Sequence, residues 1–94
     1  MIECPSPNWD ERSLPISMLV LHYTGMADAA SAIARLADAQ ARVSAHYLVA
    51  EDGEVVRFVP EEKRAWHAGV SSWRGITDVN SASIGIEIVN PGHE

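Results

Sequence analysis

Met18-Leu19-Val20-Leu21-His22-Tyr23-Thr24-Gly25 and Ser83-Ile84-Gly85-Ile86-Glu87-Ile88-Val89 are the two stretches that decide how this chain folds. The first is a continuous apolar run ending at a glycine turn, the pattern of a strand buried on both faces. The second alternates strictly, which puts its three isoleucines on one face and Gly85 with Glu87 on the other. Between them the period changes. From Asp28 to Arg42 it is helical, with Ala29, Ile33, Leu36, Ala37 and Ala41 on one stripe and Arg35, Asp38 and Arg42 opposite. Asp28 is placed to accept from free N–H groups of the first turn. Residues 45–50 and 55–59 read as a hairpin around Asp52-Gly53, and Pro60 closes its second strand. A polar, glycine-containing loop then runs from Ala65 to Asn80.

Residues 1–17 include Pro5, Ser6, Pro7, Asn8 and Pro15 and read as an extended lead-in without periodicity. The order strand, helix, hairpin, loop, strand predicts an α/β domain, with a mixed central β-sheet and flanking helices. The sequence stops just after the 83–89 strand, before one face of that sheet is covered. Residues 1–94 therefore read as the N-terminal part of a single domain, truncated at its C-terminus.

With 94 residues, 47% of them apolar, the chain is one small packed unit. Its net charge is −6 and its seven basic residues are scattered, which argues against nucleic acid or a membrane surface as partner. Cys4 is the sole cysteine and excludes an internal disulfide. The N-terminus lacks the apolar stretch of a signal peptide, and no segment is long enough to span a bilayer. The expected compartment is the cytoplasm, or the periplasm for a protein whose export signal has been removed.

Two residues stand out chemically. His22 ends an apolar strand, where a neutral imidazole is either a satisfied core histidine or a ligand for a metal such as zinc. Glu87 sits mid-strand between isoleucines, with Gly85 leaving space beside it. A carboxylate there either faces solvent or serves as a proton shuttle in an open pocket. His46 is a further candidate, but a strand position favours a core residue bonded to a backbone carbonyl. Trp66, His67 and Trp73, near Gly69 and Gly75, have the composition of a ligand-facing loop or of a lid on a small core, and Lys63 and Arg64 precede them as groups for a substrate carboxylate or for water. There is no phosphate loop, no cysteine pair at zinc-finger spacing and no serine nucleophile elbow.

Taken in order, residues 20–25, 43–49, Asp52-Gly53, Arg64-Ala65-Trp66-His67-Ala68-Gly69, Asn80 and 83–87 resemble the family 2 N-acetylmuramoyl-L-alanine amidases, relatives of the muropeptide-recycling amidase, T7 lysozyme and the peptidoglycan recognition proteins. The resemblance spans residues 18–90. It implies zinc-dependent hydrolysis of the amide between the lactyl group of N-acetylmuramic acid and L-alanine, in peptidoglycan or muropeptides. It also implies one Zn2+ held by two histidines and an acidic or thiolate ligand. His22 matches the first ligand, and the others are expected beyond residue 94; His93 lacks the family's surrounding motif. Glu87 matches the general base and acid of the recycling-type branch. Ala45 stands where the T7-like branch has a tyrosine, so Tyr47 is not assigned a catalytic role. Trp66, His67 and Asn80 are the expected substrate-binding residues. Residues 1–94 alone are expected to be inactive, and the rival reading is a module of the same fold that binds peptidoglycan without cutting it.

Overall fold

The computed structural model describes residues 1–26, 28–69, 72 and 74–90. Five strands form one sheet in the order β1 (Ile2–Glu3), β5 (Val55–Arg57), β4 (Tyr47–Val49), β7 (Ser83–Ile88) and β3 (Met18–Tyr23). Only β4 and β5 run antiparallel within it, so the sheet is mixed, as the element order predicts. A separate antiparallel pair joins β2 (Trp9–Glu11) to β6 (Lys63–Ala65).

Helix α1 (Ala29–Leu36) carries the chain from β3 to β4 and leaves a slot between these strands. Strand β7 fills the slot, paired with β3 from Met18–Ser83 to Tyr23–Ile88 and with β4 from Tyr47–Ile86 to Val49–Ile88. The Asp28 carboxylate caps α1 by accepting from the Ser31 N–H at 2.8 Å. The β4–β5 turn needs Gly53, whose φ of 88° is open to a residue without a Cβ. The core gathers Ala32, Leu36, Ala45, Leu48, Val56, Phe58, Val59, Ala65 and Val89. Leu48 and Val59 are wholly buried, and each such side chain contributes about 1.5–3 kcal/mol by leaving water.

The helix is shorter than its period suggests. It stops at Leu36, and Ala39–Ala41 form a 3₁₀ turn capped by Asp38. The lead-in supplies the reason. Ser6 Oγ donates to the Leu36 carbonyl at 2.6 Å, and Asn8 Nδ2 donates to the carbonyls of Asp38 at 2.9 Å and Val43 at 2.8 Å. The Leu36 carbonyl is one of the terminal acceptors that the helix itself leaves free. The segment that reads as featureless thus packs two buried polar residues and contributes β1 and β2. Its pairing partners lie some fifty residues downstream, so no local pattern marks it. Arg12 ties the same segment to the far loop, donating to the carbonyls of Glu61, Asn80 and Ser81.

Two further expectations change. The 65–80 loop is flanked by structure: β6 begins before it, and a short helix α2 (Val79–Ala82) ends it. Strand β3 is not buried on both faces. It lies at the sheet edge, with Leu19, Leu21 and Tyr23 at 68%, 63% and 68% exposure, because no described residue covers that side.

Candidate active site

His22 and Glu87 are direct partners in the parallel β3–β7 ladder. Partners in register project to the same face, so imidazole and carboxylate emerge side by side, with Leu48 of β4 next in the row. That face is the one packed under α1. Glu87 lines a cavity of about 250 Å3 together with Thr24, Arg35, Ser44, Trp66 and His67. Burial holds its carboxyl above the ordinary glutamate range. Burial also lowers the pKa of His22, which favours the neutral imidazole. His22 additionally borders a trough along the β3 edge, beside Ala68 and Ser72.

His67 connects these two regions. Its Nδ1 lies 3.1 Å from His22 Nε2, and its Nε2 lies 3.0 Å from Ser83 Oγ. Desolvation first, and then the charges of His22, His46, Arg12 and Arg64, push its pKa down to about 3. The space beside Glu87 that Gly85 leaves is occupied by this ring. A Cβ at position 85 would stand 2.4 Å from His67 Cγ.

The Trp66-His67-Ala68 segment is fixed through its backbone. Ser44 Oγ accepts from Trp66 N–H at 2.9 Å, and Asn80 Oδ1 accepts from the N–H groups of His67 at 3.0 Å and Ala68 at 2.8 Å. Asn80 is itself 8% exposed. Its amide oxygen is therefore occupied by the loop. Replacing Asn80 with alanine strands two backbone donors and is expected to cost about 1–3 kcal/mol. Chemical denaturation measures this, and an unchanged midpoint would show that the loop finds other acceptors.

The remaining polar candidates resolve differently. His46 is wholly buried, accepting from Gly85 N–H through Nδ1 and placing Nε2 2.8 Å from the Lys63 carbonyl. It is a core histidine directly before β4, and its Nε2 also lies 3.0 Å from Arg12 Nη2. Lys63 pairs with Glu11, and Arg64 with Asp10 and Asp78, so both cations have acidic partners within the chain. The Tyr47 hydroxyl donates to Glu61. Trp73 and His93 lie outside the described residues. Ser83 and Ser44 lie within the quoted motifs without any signal of these bonds, since a serine at a strand boundary looks like ordinary solvated punctuation.

Among the described residues, no group of three or more His, Cys, Asp or Glu side chains is arranged to share a metal ion. His22 offers one neutral imidazole of the kind a borderline divalent ion accepts.

Sequence and fold together place this mixed sheet in a known hydrolase family. The model for N-acetylmuramoyl-L-alanine amidase matches residues 12–94, and the chain belongs to that family. It is 48% identical to the N-acetylmuramoyl-L-alanine amidase AmiD of Escherichia coli over 84 residues, covering 82% of this chain and 29% of AmiD. It superposes on a crystal structure of an AmpD derivative with a TM-score of 0.84 and 39% identity, covering 95% of this chain and 60% of that one. The complex of Escherichia coli AmiD with the substrate anhydro-N-acetylmuramic acid-L-Ala-D-γ-Glu-L-Lys matches with a TM-score of 0.74 and 42% identity, covering 90% of this chain and 35% of that one. The chain thus spans under a third of AmiD's length.

Proposed function

We propose that this chain is the N-terminal part of a zinc amidase that hydrolyses the bond between the lactyl group of N-acetylmuramic acid and L-alanine in muropeptides. The observation that carries this reading is the register pairing of His22 with Glu87 on one face, beside a cavity. Family membership and the muropeptide bound to AmiD support the substrate class.

His22 would hold Zn2+ through a ring nitrogen, with the other ligands beyond residue 94. When bound, the ion supplies Lewis acidity toward the lactyl carbonyl and a nucleophile at neutral pH. Glu87 takes a proton from the attacking water and delivers it to the departing L-alanine nitrogen. Its raised pKa suits both halves of that transfer. Trp66 and His67, on the cavity wall, contact the sugar or peptide. Asn80 acts by holding their loop.

The complete protein incubated with a defined N-acetylmuramoyl-peptide should release a peptide beginning at L-alanine and leave the lactyl carboxylate on the sugar, as read by chromatography and mass spectrometry. A chelator should abolish release, and added Zn2+ should restore it. Binding without cleavage would overturn the amidase reading in favour of a muropeptide-binding module. Full activity in chelator would overturn the zinc assignment alone.

A further inference from the structure

We propose that Ser83 and His67 form a positioning relay that fixes His22 as its Nε2–H tautomer and leaves the Nδ1 lone pair as its ligating atom. The directions of three hydrogen bonds carry it. Ser83 Oγ lies 2.6 Å from the Val79 carbonyl oxygen. Two acceptors at that separation would repel, so the single hydroxyl proton of Ser83 is directed at Val79. Only lone pairs of Ser83 Oγ then face His67 Nε2 at 3.0 Å, and that nitrogen must carry a proton. A neutral imidazole has one N–H, which leaves His67 Nδ1 an acceptor. Its neighbour at 3.1 Å, His22 Nε2, must therefore be the donor.

The relay is built rather than incidental. Ser83 is wholly buried, so water does not compete for its hydroxyl. The His67 ring is seated against the bare Cα of Gly85, and its backbone N–H is held by Asn80. Helix α2 presents the Val79 carbonyl one turn before Ser83, where a serine bonds back to the residue four positions earlier. Metal-binding histidines are commonly oriented in this way, by a partner that fixes the second ring nitrogen. Here the partner is a second histidine whose own tautomer is set by a serine. Ser83 and His67 touch no reacting atom through these bonds; they act on His22.

The metal assignment for Nδ1 rests on the zinc reading above, whereas the tautomer does not, so the two are tested separately. Long-range proton–nitrogen NMR correlation on the complete, metal-free, 15N-labelled protein near neutral pH distinguishes the tautomers of His22 and His67. Both should be Nε2–H. In Ser83→Ala, His67 loses its acceptor and both rings should show mixed or exchanging tautomers, while the backbone amide spectrum remains folded. Ser83→Thr, which keeps the hydroxyl, should restore the wild-type pattern. Zn2+ affinity should fall about 10- to 100-fold in Ser83→Ala and recover in Ser83→Thr. A wild-type His22 protonated at Nδ1 would overturn the relay, whether or not the variants fold. So would a Ser83→Ala protein with unaltered tautomers. A confirmed tautomer with unchanged Zn2+ affinity would overturn only the link to the metal.

Discussion

Glu87→Gln in the complete protein is expected to lower kcat on a defined muropeptide by about 100- to 10,000-fold, the usual worth of a positioned proton-transfer group. Glutamine keeps the shape and can still bond to substrate, so KM should move little. The effect on stability runs the other way. Burial raises the Glu87 carboxyl, which means that folding favours its protonated form. The corresponding stabilisation is complete below the ordinary carboxylate range and is lost as pH rises through the raised pKa. Glutamine cannot suffer that loss. The metal-free variant should therefore melt higher than the parent at neutral pH, with the difference closing below about pH 4. Unchanged kcat would remove Glu87 from the chemistry, and a lower Tm at neutral pH would contradict the desolvated carboxylate.

Gly85→Ala is the second large effect. In an ordinary strand, alanine is favoured over glycine by about 0.5–1 kcal/mol because it restricts the unfolded chain. Here the new Cβ meets three atoms of the His67 ring at 2.4, 2.5 and 2.7 Å, and the ring is held by His22, Ser83 and the Asn80-bound backbone. Overpacking of this sort costs about 1–3 kcal/mol and should prevail. The ring must leave its seat, so the His22 contact breaks and activity falls although Glu87 is untouched. Denaturation of the single variants and of Gly85→Ala combined with His67→Ala forms the check. With the ring gone, the alanine should become neutral or stabilising. An equal penalty in both backgrounds would place the clash elsewhere.

Much of the framework was legible because it is local. The 83–88 alternation, the Asp28 cap and the Asp52-Gly53 turn each state their structure within a few residues, and register alone brings His22 beside Glu87. The site's finer order was not legible. His67 was visible as a loop residue near tryptophan, but its seat against Gly85 follows from a fold-back that no periodicity encodes. Asn80 was singled out for substrate, and its amide oxygen serves the loop backbone. Ser83 acquires its role only when α2 and β7 meet. The exposure of Leu19, Leu21 and Tyr23 was hidden for a simpler reason: an apolar run states that a strand is greasy, and says nothing about whether a neighbour covers it.

The lead-in strands also set an order of assembly. Ile2 pairs with Val56, and Trp9 with Ala65, so β1 and β2 have no docking surface until the β4–β5 hairpin and β6 have been made. Strand β3 waits longer still, since its partner β7 begins at Ser83. Such distant pairings close large loops before any contact rewards them, which gives the domain a high contact order and slow folding for its size. At a synthesis rate of up to about 20 residues per second, β1 and β2 spend seconds unpaired, within reach of chaperones or of other nascent chains.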